Sequence, residues 1–223
     1  MKRTSIAFIA FTSTVAFLAG CAAPAVNVNV NSPTNSNANV RPANVNTNTN
    51  VANSNTTAST GKPFSKTVEL HGIKFVVESP NTATGNTVTI KPSGLEVSNE
   101  EVKRDVSGEV TEAEVGDLNV DQSPEVYVYV TKSGAEKGTQ LIAYATNNKK
   151  SMSEINLAAP DMSSPDFKGY RGENEFRVVE NSLIQRFPIF DGDKKTEKMR
   201  QIQYKLKPGE AAWQLVKDKT IEF

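Results

Sequence analysis

Three features of this chain could carry chemistry: its only cysteine, its only histidine and one short run of oxygen donors. The run is Asp117-Leu118-Asn119-Val120-Asp121-Gln122-Ser123-Pro124-Glu125. Oxygens at alternate positions are what a loop needs to wrap a calcium ion. Gln122, however, stands where the sharp turn asks for glycine, and no glutamate follows at the distal bidentate position. The run is therefore read as an Asx-turn loop leading into the next strand, with no metal and no other cofactor assigned. His71 precedes Gly72 between two strand-like runs and reads as a solvated turn residue, not a general base. The sequence has no nucleophile elbow, paired-histidine zinc motif, phosphate loop or dinucleotide fingerprint. A single Cys excludes an internal disulfide, and 25 basic residues against 25 acidic ones leave no field that would select nucleic acid. No enzyme is expected.

Cys21 has a different use. Lys2 and Arg3 form a positive start, and Ile6 to Phe17 is an apolar run of signal-peptide length, too short to span a bilayer stably. It ends in Leu18-Ala19-Gly20-Cys21, which matches the bacterial lipobox. That resemblance implies a signal peptide over residues 1–20, acylation of the Cys21 thiol and of the new N-terminus, and attachment to the membrane by lipid. Several acyl chains, at about 0.8 kcal/mol per buried methylene, hold far more firmly than one. Ala22 in place of Asp resembles the sorting signal of outer-membrane lipoproteins in Gram-negative bacteria, which implies a periplasm-facing anchor.

Residues 21–62 form a low-complexity segment in which Asn alternates with Val, Thr, Ser and Ala. It holds no acid and no aromatic residue, so it cannot bury enough apolar surface to offset an ordering entropy of about 1–2 kcal/mol per residue. We read it as a disordered tether with a typical reach of about 35 Å. Residues 63–223 hold all 25 acidic residues against about 21 basic ones, a mildly acidic working domain.

The periodicity of that domain is β throughout. Thr67–Leu70 and Ile73–Glu78 flank His71-Gly72 as a hairpin, Asn86–Lys91 alternates before Pro92, and Val126–Thr131 is rich in branched and aromatic residues. Thr139–Ala145 follows. Glu175–Glu180 and Leu183–Phe190 flank an expected turn at Asn181-Ser182. Arg200–Leu206 leads to Pro208-Gly209, expected as a type II turn, and to Trp213–Val216, where Trp213 is expected to pack in the core. Only Ser153–Leu157 suggests a helical turn. The fold class expected is all-β, an antiparallel sandwich of about eight strands.

Asp117-Leu118-Asn119, Pro124–Val130 and Ser133-Gly134 together resemble the periplasmic inhibitors of i-type lysozyme. The likeness continues through Leu141–Asn148, Phe167–Tyr170, Glu175-Phe176, Arg186–Pro188, Arg200–Leu206 and Pro208–Ala211, over about 110 residues in order. It implies a β-sandwich, commonly a homodimer, that inserts a loop into the lysozyme cleft through a Ser-Gly-x-x-Tyr motif. Ser133 and Gly134 match that motif, and Lys137 stands at the Tyr position.

The loop itself, Ser133-Gly134-Ala135-Glu136-Lys137-Gly138, joins two strong strands, so its ends are held while its tip projects. Gly134 and Gly138 permit positive φ and close backbone approach. A lysozyme cleft carries two carboxylates, which a Ser133 hydroxyl and a Lys137 ammonium could meet through charge-assisted hydrogen bonds. Two other classes stay open at this point: a non-catalytic envelope scaffold that kept the fold, and a hydrolase whose carboxylates only the fold would gather.

Overall fold

The computed structural model describes residues 61–132, 134 and 137–223. Cys21 and the tether lie outside them. The described chain is all-β, in two sheets. The first has four strands in sequential order, β1 (Phe64–Leu70), β2 (Ile73–Ser79), β3 (Asn86–Ser93) and β4 (Val102–Val106). The second has eight: β5 (Glu109–Gly116), β6 (Glu125–Lys132), β7 (Gly138–Asn147), β8 (Ser151–Leu157), β9 (Glu175–Val179), β10 (Ser182–Asp191), β11 (Lys194–Pro208) and β12 (Trp213–Glu222). Their order across the sheet is β5-β6-β7-β8-β12-β11-β10-β9.

The pairing is antiparallel except between β8 and β12, where three residue pairs, Trp213–Leu215 against Ile155–Leu157, run parallel. That seam joins two antiparallel halves, β5–β8 and β9–β12, and the sheet curls so that its edges approach. Glu114 on β5 accepts a hydrogen bond from the Val178 N–H on β9 at 2.8 Å.

Strand β6 explains the layering. Val126, Val128 and Val130 are fully buried on one face, against Phe75, Val77 and Ile90 of the first sheet. Tyr127 and Tyr129 are buried on the other, with Phe176, Phe187 and Ile202 of the far half. A strand covered on both faces has no polar side, which is why Val126–Thr131 reads as an unbroken apolar run. Each of these valines, moved from water to the core, contributes about 1.5–3 kcal/mol. Three layers thus enclose two cores, with β6 between them.

The chain crosses from β4 to β5 at Ser107-Gly108. Gly108 has φ 141°, and a Cβ there would lie 2.5 Å from the Thr131 carbonyl oxygen, so the corner requires glycine. The His71-Gly72 hairpin forms as expected, with φ 52° and 82° and Leu70 facing Ile73.

The all-β sandwich is as expected, with twelve strands among the described residues where the sequence predicts about eight. Three local expectations are corrected. The β9–β10 turn is Glu180-Asn181, because Ser182 already pairs with Val179 and its buried hydroxyl accepts from Gln203 Nε2 at 2.6 Å. Pro208 ends β11 opposite Trp213, and the turn is closed by Gly209 N–H to Ala212 O at 2.9 Å, without a left-handed glycine. Ser153–Leu157 belongs to β8, not to a helical turn. Met152 packs into one core and Ile155 into the other, so a spacing of three marks opposite faces of a strand. Trp213 packs against the second core as expected, and its Nε1–H donates to Asn147 Oδ1 at 3.0 Å.

Candidate functional site

The loop after β6 leaves the sheet at Lys132 and returns at Gly138, which face each other across the β6–β7 ladder. Ser133, Ala135 and Glu136 lie outside the described residues. Gly134 is exposed with φ 83°, Lys137 is exposed, and Gly138 has φ 133°.

The loop does not stand alone. Residues 170–174 of the chain segment before β9 rise beside it and make the second wall of a groove of about 320 Å³. Among the described residues, Lys132, Lys137 and Arg171 line that groove, together with Gly138, Thr139, Gln140, Tyr170, Gly172 and Asn174. Glu173 and Asp193 sit nearby but are engaged, by Lys195 at 3.0 Å and Arg171 at 2.8 Å respectively. The Lys195 ammonium, with Lys137 adding to it, holds the Glu173 carboxyl below the usual carboxylate range.

Contact between the walls is at backbone distance. The Glu173 N–H donates to the Lys137 carbonyl at 3.2 Å. At Gly172, φ 77°, a Cβ would come within 2.2 Å of that same carbonyl oxygen. Nothing larger than glycine fits between them. Asn174, 7% exposed, clamps the start of β7: its Nδ2 donates to Thr139 O at 2.9 Å, and its Oδ1 accepts from Thr139 N–H at 3.3 Å and from Tyr170 Oη at 2.9 Å.

The second wall is held from below. Arg200, 8% exposed on β11, donates through Nη1 to the carbonyls of Pro165, Asp166 and Lys168 at 2.8–3.1 Å, and through Nη2 to Glu222 at 2.9 Å. It thereby ties down the 3-10 turn Pro165–Phe167. Phe167 stacks on Phe187 with centroids 5.9 Å apart, and Tyr170 meets the same ring edge-on at 4.7 Å. Phe167, Tyr170, Phe187 and Arg200, far apart in sequence, are therefore one brace under the groove. Sequence reasoning named the loop but missed Arg171, Gly172 and Asn174, whose importance depends on proximity to Lys137 and Thr139.

The Asp117–Glu125 run lies at the other end of β6, about 23 Å away along the strand. Its Asx turn forms as expected: Asp121 Oδ1 accepts from Ser123 N–H at 2.7 Å, while Asp117 accepts from the N–H groups of Asp121 and Gln122 at 3.0 and 2.9 Å. His71 reaches over from the first sheet and places Nε2 3.3 Å from Asp117 Oδ2. Glu125, fully buried, accepts from Leu118 N–H at 2.9 Å and, at 3.4 Å, from Tyr127 Oη. Burial, reinforced by the charges of Asp117 and Asp121, pushes the Glu125 carboxyl up to about 8 against the opposing bond from Leu118.

Comparison with known proteins gives no relative: no family model, no curated protein and no solved structure matches this chain.

Proposed function

We propose that this chain is a lysozyme inhibitor that presents the β6–β7 loop, Ser133 to Gly138, to the active-site cleft of a lysozyme of the i-type. The observation that carries the reading is the groove beside the loop, onto which three cationic residues, Lys132, Lys137 and Arg171, converge. A cleft whose working groups are two carboxylates is the electrostatic complement of such a surface. A plug must also be stiff, since each side chain ordered on binding costs about 0.5–1.5 kcal/mol. Support for stiffness comes from the ladder on both sides of the loop and from the Asn174 clamp at its base. The lipobox at Cys21 adds a cell-envelope setting: a Gram-negative lipoprotein, anchored at the outer membrane and facing the periplasm, where it would guard the cell wall.

The test is the clearing of a cell-wall suspension by i-, c- and g-type lysozymes with increasing amounts of the protein. The reading requires stoichiometric slowing of at least one class, with the i-type foremost. Clearing by the protein alone would make it a hydrolase, and no effect on any class would leave an envelope scaffold; either result defeats the inhibitor reading.

A further inference from the structure

Asp117, Asp121 and Glu125 each bring one carboxylate oxygen to within 4.8 Å of the other two. Two oxygens bound to one calcium at about 2.4 Å are at most about 4.8 Å apart, so the three fit a single coordination sphere. Acidic groups gather in loops without any ion, and this proximity alone would mean little. The independent observation is Glu125. Its residue is 0% exposed, and its Oε1 has no hydrogen-bond partner, although Oε2 has two. A fully buried carboxylate oxygen with nothing to accept from is costly, and native structures leave few such atoms. Asn119, between the two aspartates in sequence, likewise has a solvent-shielded Oδ1 with no partner.

We propose that Asp117, Asp121 and Glu125 form a calcium site that pins the β5–β6 connection to the first residue of β6. The donor chemistry selects the ion. All the donors are hard oxygens, which disfavours zinc, whose sites draw on Cys and His. Several protein oxygens from one loop suit calcium better than magnesium, which keeps most of its water and is seldom caged by protein alone. The ion would satisfy the orphaned Oε1 and offset the mutual repulsion of three carboxylates. The pattern differs from the loop for which a distal glutamate is needed, because here Glu125 is carried back to the aspartates by the Asx turn.

The experiment uses the full-length chain stripped with a chelator and titrated with terbium, then with calcium or magnesium. Tyr127 Oη lies 3.4 Å from Glu125 Oε2, so terbium in this site is excited through a tyrosine at close range. Expected are tyrosine-sensitised luminescence saturating at about one ion per chain, its displacement by calcium but not by equal magnesium, and a melting temperature raised by about 5–10 °C at roughly a hundredfold excess of calcium over Kd. Asp121→Asn, at an exposed position, should weaken calcium at least about tenfold, one lost charge–ion contact of about 1.4 kcal/mol or more. Glu125→Gln should abolish the luminescence while leaving the chelated protein at least as stable as wild type. The proposal is overturned if wild type shows no luminescence, if magnesium displaces terbium as well as calcium does, or if Asp121→Asn binds calcium like wild type.

Discussion

Asn174 and Thr139 exchange two hydrogen bonds, Nδ2 to the Thr139 carbonyl at 2.9 Å and Thr139 N–H to Oδ1 at 3.3 Å. A side-chain amide thus does for the start of β7 what a neighbouring strand would do, at the point where the proposed inhibitory loop rejoins the sheet. Both groups of the Thr139 backbone are satisfied by a residue 35 positions later in the chain.

Removing that clamp should loosen the loop before it loosens the fold. Asn174→Ala leaves two half-buried backbone groups of Thr139 without that partner and should cost about 1–3 kcal/mol of stability, with inhibition weakened roughly tenfold. Tyr170→Phe removes only the hydroxyl that donates to Oδ1 at 2.9 Å and should cost about 1 kcal/mol. Melting temperatures and inhibition constants measured together decide the matter. An Asn174→Ala protein that melts early but inhibits at full strength would show that the loop needs no clamp.

What the sequence disclosed, and what it hid, follows from how each strand is covered. The runs now seen as β2, β3, β6 and β7 were legible because their burial either alternates, as in β2 and β3, or covers both faces, as in β6 and the second half of β7. Strand β5 was not, because a bulge between Val110 and Glu112 shifts the buried face from Val110 to Ala113 and breaks the period of two. Strand β4 was hidden by Lys103, Arg104 and Asp105, three exposed charged residues on a sheet edge. The groove was half legible. Glycines at 134 and 138 announced a special backbone, whereas Gly172 matters only because Lys137 O stands where its Cβ would be. The Asp117–Glu125 run was visible as oxygen donors, but the return of Glu125 to the aspartates is a property of the folded loop.

Asp166 should give the wall of the groove an acid-sensitive footing. The Lys217 ammonium and the Thr220 hydroxyl, the latter at 2.8 Å, hold its carboxyl below the usual aspartate value. A carboxyl lowered on folding stabilises fully above its unfolded value of about 3.9 and loses that contribution as pH falls through its folded value. Asp166→Asn should therefore cost about 1 kcal/mol at neutral pH, a modest figure because Lys217 is half exposed. The gap to wild type should close below about pH 4. Thermal melts of both proteins from pH 7 to pH 2.5 measure it, and a gap that stays constant across that range would rule out Asp166 ionisation as its source.

Cys21 is expected to decide where the protein resides. Wild type should partition with the membrane fraction and carry acyl chains at its N-terminus, while Cys21→Ser should be released in soluble form with its cell-wall assay unchanged. Mass spectrometry of an unmodified Cys21 in soluble wild-type protein would end the lipoprotein reading.

The loop variants bear most directly on the proposed inhibition. If the Ser133 hydroxyl meets a lysozyme carboxylate, the bond is charge-assisted and desolvated, of about 1.5–3 kcal/mol, so Ser133→Ala should raise the inhibition constant by about one to two orders of magnitude. Lys137→Glu should be worse, because it sets like charges together in a water-poor cleft and also removes a cation from the groove. Lys137→Tyr restores the residue of the Ser-Gly-x-x-Tyr motif and should preserve or tighten binding to i-type lysozyme. Lys137 is exposed, and its backbone carbonyl, which a side-chain change leaves in place, accepts the hydrogen bond from the Glu173 N–H of the second wall. Melting temperatures should accordingly stay within a degree or two of wild type, about the scatter of a neutral surface substitution. Should Ser133→Ala and Lys137→Glu both inhibit as wild type does, the loop is not the plug, and the groove walled by Arg171 and Tyr170 becomes the surface to mutate next.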